Sequence, residues 1–237
     1  MKKILIATFV ALMASVSMAD LMQINAQGSD RWMQYTNSLN SVYMRNITDT
    51  TARIGEYASG GNYNFYVVPF QLPVLPSGHS VTNASLNIYV TASSFFSNLG
   101  QSLSVYGVRT DSSTNVVVTD NIGGTLMGGG LISYGNSPLT PTGATNLTAA
   151  GFASYIQSIY DNDVNAAGKY VFLRLENDGG TLANTTHYIT VGTANNATVA
   201  YRPVLNISTA TIPEPATVGM LGLGTLITLL VRRIRTR

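Results

Sequence analysis

Groups that could carry out chemistry are few in this chain, and they stand far apart. Its two histidines are His79, in Pro76-Ser77-Gly78-His79-Ser80, and His187, at the start of an alternating run. A nucleophilic triad needs a histidine held between an acid and a nucleophile. The Gly-x-Ser-x-Gly elbow that would expose a serine is absent. Both histidines therefore read as surface or turn residues. With no cysteine anywhere, thiolate nucleophiles and thiolate metal sites are excluded. Glu56 and Glu176 could in principle form the carboxylate pair of a glycosidase, but they read more simply as solvated strand-edge residues. Asp161-x-Asp163-x-Asn165 has the first half of a calcium-loop spacing. Its sixth position is Ala166 where the loop needs glycine, and its twelfth is Phe172 where it needs glutamate. The segment reads as a helix-stopping turn, with a structural calcium as the alternative, and no metal or cofactor is assigned.

Aromatic side chains are the better binding candidates, because a sugar ring stacks on an aromatic face. Trp32 is the only tryptophan, and Trp32, Tyr63 and Tyr89 are the candidate ligand contacts. The competing reading is half-buried packing, the common fate of a strand tyrosine. Asn46, Asn83, Asn146, Asn184, Asn196 and Asn206 each begin an Asn-x-Ser/Thr triplet. In a chain this rich in Ser, Thr and Asn, such triplets arise by chance.

The elements that must position these residues are mostly strands. Val81–Thr91 alternates, with Ala84, Leu86, Ile88 and Val90 on one face and Ser85, Asn87 and Tyr89 on the other. Arg53–Tyr57, Tyr63–Leu72, Ser102–Arg109, Asn115–Thr119, Tyr170–Glu176, His187–Val191 and Thr198–Ser208 read the same way, and Gly123–Gly130 reads as a loop. Thr148–Tyr160 differs. Phe152, Ile156 and Ile159 fall at i, i+4 and i+7, which gives one apolar face of a short helix with Thr148 as its N-cap. The predicted fold is mainly β: a jelly-roll-like β-sandwich with one short helix, plus an N-terminal signal peptide and a C-terminal transmembrane helix.

Three stretches carry a family resemblance. Tyr66-Val67-Val68-Pro69-Phe70-Gln71-Leu72-Pro73-Val74-Leu75-Pro76-Ser77-Gly78, the strand Val81–Val90, and Arg202-Pro203-Val204-Leu205-Asn206-Ile207 resemble segments of secreted DNRLRE-type β-sandwich domains. Gln71 stands where that family often has aspartate. Some members are carbohydrate-binding modules, so the resemblance implies a sandwich able to contact polysaccharide.

Both ends of the chain read as addresses. Lys2 and Lys3 precede the apolar run Ile4–Val16, and Ser17-Met18-Ala19 suits signal peptidase, with the cut between Ala19 and Asp20 after delivery by the Sec machinery. At the other end, Pro213-Glu214-Pro215 is followed by the uncharged run Ala216–Val231 and then by Arg232, Arg233, Arg235 and Arg237. The prolines end any preceding strand, the apolar run can enter a bilayer, and the arginines stop its passage. This layout resembles the PEP-CTERM sorting signal of Gram-negative bacteria. The resemblance implies an exosortase partner that cleaves near the Pro-Glu-Pro, and a body that is first held at the inner membrane and then delivered to the envelope or the exterior. An unprocessed membrane anchor is the alternative. The division expected is signal peptide 1–19, body 20–211 and sorting signal 212–237.

Removing the addresses changes the charge. The chain holds 13 Lys and Arg against 11 Asp and Glu, but the body retains 7 and 10 of them, about −3. The basic residues of the tail are thus no footprint of nucleic-acid binding. The expected role is non-enzymatic: a structural or adhesive surface or matrix protein linked to exopolysaccharide, with a carbohydrate-binding module as the alternative.

Overall fold

A computed structural model describes residues 20–36, 41–56, 62–94, 101–134, 142–177 and 187–212, together with Gly224. The expected signal peptide and, apart from Gly224, the expected transmembrane run Ala216–Val231 lie outside them. Among the described residues no helix is long and apolar enough to cross a membrane. The described residues divide between two compact units, the smaller holding Asp20, 75–80 and 209–212, the larger those within 21–74 and 81–208. In the first, a turn runs from Pro76 to His79 with Gly78 at φ 71°, and the Ile212 amide donates to the Gly78 carbonyl at 2.7 Å.

The larger unit is mainly β. The strands of the chain are β1 (Asp20–Asn25), β2 (Arg31–Thr36), β3 (Ser41–Met44), β4 (Thr51–Glu56), β5 (Asn62–Gln71), β6 (His79–Ser94), β7 (Gln101–Asp111), β8 (Thr125–Tyr134), β9 (Gly143–Thr148), β10 (Tyr170–Asn177), β11 (His187–Gly192) and β12 (Val204–Thr211), with helix α1 (Ala150–Asn162) between β9 and β10. The strands join in the order β1-β12-β6-β11-β4-β5-β10-β7-β8, with β2 and β3 branching from β5 and β9 from β6. One strand makes the bend. β5 pairs with β2 along one edge, while its other edge is shared, β10 taking Tyr66–Gln71 and β4 taking Tyr63 and Asn64. A bridge from Ala26 to Phe70 returns the end of β1 to the same strand. The antiparallel sheet therefore curls over on itself into a jelly-roll-like sandwich.

Side-chain periodicity explains the burial. On β6, Ala84, Leu86, Ile88 and Val90 are buried while Asn87 and Tyr89 are not; Ser85, expected to share their outward face, is buried where β9 pairs with it. β5 and β10 are buried on both faces from Tyr66 to Phe70 and from Val171 to Leu175, because the segment 112–121 covers the second face. There Val116 packs with Met33, Val67 and Phe172 in a satellite core.

α1 buries Phe152, Ile156 and Ile159 as the i, i+4, i+7 pattern requires. Its N-cap is Ala149 rather than Thr148, with no side-chain cap; Thr148 is the last residue of β9 and is committed to pairing with Ser85. The helix lies very close to the sheet. A Cβ on Gly107 would fall 2.1 Å from the Tyr155 ring, and one on Gly151 would fall 2.2 Å from the Met127 carbonyl oxygen. Gly151→Ala should therefore lower the thermal midpoint, although alanine in an open helix position would add roughly 1 kcal/mol. A raised midpoint would show that the helix has room to move away.

Four expectations are corrected. Of the expected loop only Gly123 and Gly124 lie outside a strand; Thr125–Gly130 form the first part of β8, held to β7 through two register shifts. Bulges and the positive φ of Gly130 (67°) let a glycine-rich segment pair without alternating. Asn115–Thr119 is not a strand: it leads into a single 3₁₀ turn at Val118–Asn121. Thr198–Ser208 becomes a strand only from Val204, after a 3₁₀ turn at Val199–Tyr201. His187 and Glu56 are not surface residues. They face each other across β11 and β4 with 2 % and 0 % exposure, because both sit in the inward row with Ile189, Val191, Ile54 and Ala52. Burial lowers the His187 pKa and favours neutral imidazole.

Candidate functional site

Loop-to-loop hydrogen bonding builds, among the described residues, a cleft lined by an aromatic face and two arginines. The turn after β11 acts as a staple. Thr193 Oγ1 donates to the Asp49 carbonyl at 2.6 Å, Asn195 Nδ2 to the carbonyls of Ile47 at 2.5 Å and Gly28 at 3.2 Å, and Asn196 Nδ2 to that of Thr50 at 2.8 Å. These bonds fix the segment 45–51 against β2, where local sequence alone would leave it a free loop. Asn196 thereby commits its amide to the fold.

The held segment encloses Trp32. Its indole Nε1 donates to Asp49 Oδ2 at 2.8 Å, which sets the ring's orientation. The Arg45 guanidinium lies 5.0 Å from the ring centroid and also donates to Gln34 Oε1. On β4, Arg53 lies 5.1 Å from the centroid of Tyr188 on β11. Trp32, Arg45, Asp49, Thr50, Thr51 and Arg53 line an open cleft of about 420 Å³. That volume lies in the range of about 300–1,000 Å³ common for ligand sites. The two guanidiniums outnumber the one carboxylate, and that carboxylate is engaged by the indole.

The other candidate contacts lie elsewhere. Tyr63 is on β5, its ring 6.3 Å from that of Tyr35. Tyr89 is on β6 and stacks on Tyr201 at 3.7 Å with an 18° interplanar angle; that tyrosine partner already covers one of its faces. Of the three aromatics, Trp32 alone lines the cleft. Its neighbours Arg45, Asp49 and Arg53 gave no signal in the sequence, since nothing local marks three separate segments as sharing one pocket.

The loop after α1 is closed by its own groups. Asp163 pairs with Lys169 Nζ at 2.5 Å and accepts from the Asn165 amide at 3.0 Å, and the lysine is the main reason its carboxyl titrates below the usual range. Asp161 accepts from Gln157 Nε2 at 2.7 Å. Among the described residues no three His, Cys, Asp or Glu side chains cluster as metal ligands would. His79 Nδ1 lies 3.1 Å from the Ser77 carbonyl. Glu176 lies 2.8 Å from Arg174 Nε, an ion pair within β10 rather than a solvated edge residue.

Pro213, Glu214, Pro215 and the terminal arginines 232, 233, 235 and 237 lie outside the described residues, as does Ala19 of the expected cleavage site, and the C-terminal signal is read from the sequence. No curated protein matches the chain. The likeness of the body to DNRLRE-type domains accordingly remains a resemblance only. Residues 211–235 match the PEP-CTERM protein-sorting motif, and the chain thus carries the C-terminal signal of an exosortase substrate.

Proposed function

We propose that the chain is exported, processed by exosortase, and retained at the cell surface or in the extracellular matrix, where its sandwich acts non-enzymatically as a structural or adhesive component beside exopolysaccharide. The sorting motif at 211–235 carries this reading. The composition supports it: with charged residues at only 10 %, the body's surface is solvated by hydroxyls and amides. Mixing the purified protein with the polysaccharide shed by its own cells tests the matrix role. Sedimentation of protein with the polymer is the expected result, and protein left wholly in the supernatant would contradict it.

A second reading, carbohydrate binding at a defined site, is favoured by the Trp32 cleft. On this reading Trp32→Ala lowers glycan affinity at least tenfold in a binding titration, whereas Tyr89→Ala, on another face, leaves it nearly unchanged. Equal losses from both would point to diffuse surface adhesion instead.

A further inference from the structure

The outward face of the sheet carries a trough apart from the Trp32 cleft. On β6, alternation points Ser85, Asn87 and Tyr89 outward, and the antiparallel register of β9 sets Thr148, Asn146 and Ala144 opposite them. The Ser85 row is closed by the fold: Gln23 Nε2 donates to Asn206 Oδ1 at 3.3 Å, and Asn206 Nδ2 donates to Ser85 Oγ at 3.5 Å. The Asn87 row is left open. Asn87 Oδ1 is buried and accepts no hydrogen bond from any described residue, and Asn146 opposite it is exposed. These two amides line a trough of about 310 Å³ that crosses β6 from β9 to the start of β12, with Val199, Ala200 and Arg202 of the 3₁₀ turn as its wall.

The wall is held in place. Arg202 Nε donates to the Asn196 carbonyl at 2.8 Å, the Arg202 amide donates to the Val199 carbonyl at 3.1 Å, and Asn196 Oδ1 accepts from the Thr198 amide at 3.0 Å. Gly192 lets the turn come close, since a Cβ there would fall 2.2 Å from the Tyr201 carbonyl oxygen. A buried amide oxygen without a donor lowers stability, and a ligand hydroxyl entering the trough would supply that donor. Val199 is 68 % exposed and, with Ala200 and Ala144, offers an apolar surface for the C–H face of a sugar ring. Among the described residues that line the trough there is no carboxylate, and the one charged side chain is Arg202.

We infer that this trough is a second glycan site, separate from the Trp32 cleft, and that it takes a neutral saccharide whose hydroxyls bond the Asn87 and Asn146 amides. The inference goes beyond the Trp32 reading and does not depend on it. No aromatic ring lines the trough, and the Tyr89 ring is stacked on Tyr201. Where both sites take the same glycan, the trough is therefore the weaker, and it supplies the binding that remains when Trp32 is removed.

The test is calorimetric titration of the full-length protein, in a detergent without a sugar headgroup, with cellohexaose, mannohexaose and xylohexaose, and with hexagalacturonate as the acidic comparison. At least one neutral hexasaccharide should still bind the Trp32→Ala variant. Adding Asn87→Ala or Asn146→Ala to that variant should weaken the remaining binding at least tenfold. Neither change should lower the urea midpoint, because Asn146 is exposed and Asn87→Ala removes an oxygen that the fold leaves unpaired. Loss of all binding in Trp32→Ala alone would overturn the trough and leave the cleft as the carbohydrate site. Remaining binding that ignores both asparagine changes would also overturn it, as would a fall in both midpoints, which would assign the two amides to the fold. A wild-type protein that binds none of the hexasaccharides would overturn trough and cleft together. Hexagalacturonate bound as tightly as the neutral sugars, with the same asparagine dependence, would overturn the neutral assignment.

Discussion

Replacing Asp120 with alanine should destabilise the protein by about 3 kcal/mol, the scale of breaking a buried ion pair. The Asp120 side chain is 1 % exposed. Its Oδ1 accepts from Arg109 Nε at 2.6 Å, and its Oδ2 accepts from Arg109 Nη2 at 3.1 Å and from the Val117 amide at 2.9 Å. Arg109 in turn lies 3.8 Å from the Phe172 ring centroid, and Arg174 Nη1 donates to the Asp120 carbonyl at 3.2 Å. This cluster ties the 3₁₀ turn to β7 and β10 and closes the satellite core around Val116. Losing the carboxylate leaves a guanidinium over the ring with half its partners gone and an orphaned amide beneath it. For a body of this size the thermal midpoint should drop by roughly 6–12 °C. Asp111→Ala is the control. It removes the other acid from the same arginine, but its side chain is 44 % exposed, so less than about 1 kcal/mol should be lost. Equal urea midpoints for the two variants would show that the cluster does not hold the segment down.

The second large effect is on pH dependence. Asp30 is 2 % exposed. Its Oδ2 accepts from the Tyr66 hydroxyl and from the Ala194 amide at 2.8 Å, while Oδ1 is buried without a hydrogen-bond partner. Burial raises its pKa from 3.8 to about 6, against the lowering pull of those donors. A carboxyl whose pKa is raised on folding takes up a proton more readily in the native state. Its contribution to stability is therefore greatest below pH 4, declines as pH rises from about 4 to about 6, and is constant above that. The decline amounts to about 3 kcal/mol at 1.36 kcal/mol per pH unit. Asp30→Asn should flatten this part of the stability profile, with the slope rather than the absolute level as the readout, since the new amide N–H₂ meets no partner at the Oδ1 position. A slope retained in the variant would assign it to another group.

What the sequence made legible was what local physics determines. The alternation on β6 and the three-residue face of α1 appear in the structure where the periodicity put them. The sorting signal is legible for the same reason: prolines, an apolar run and terminal arginines act in sequence order and need no fold to bring them together. Other features depend on distant partners. β8 hides because glycine carries no hydrophobic pattern, and only its pairing with β7 makes it a strand. His187 and Glu56 read as surface residues by type, yet the inward rows of β11 and β4 bury them. β1, β2 and β3 are not among the strands that alternation predicts; β2 shows why, since Arg31–Thr36 mixes polar and aromatic residues and is defined by its place between β3 and β5. Trp32 was recognisable as a lone tryptophan. Its cleft was not, because Arg45, Asp49 and Arg53 reach it through the staple formed by Thr193, Asn195 and Asn196, more than 140 positions along the chain from Asp49.

On the proposed reading, the C-terminal signal directs this protein through exosortase to the surface. The intact mass of the mature protein, taken from cells with a working exosortase and from cells without it, tests that most directly. The expected result is a species starting at Asp20 and ending between Pro213 and Ala216, present only when the enzyme is active. A mass that retains Arg237 in both strains would contradict the claim and leave the tail a plain membrane anchor.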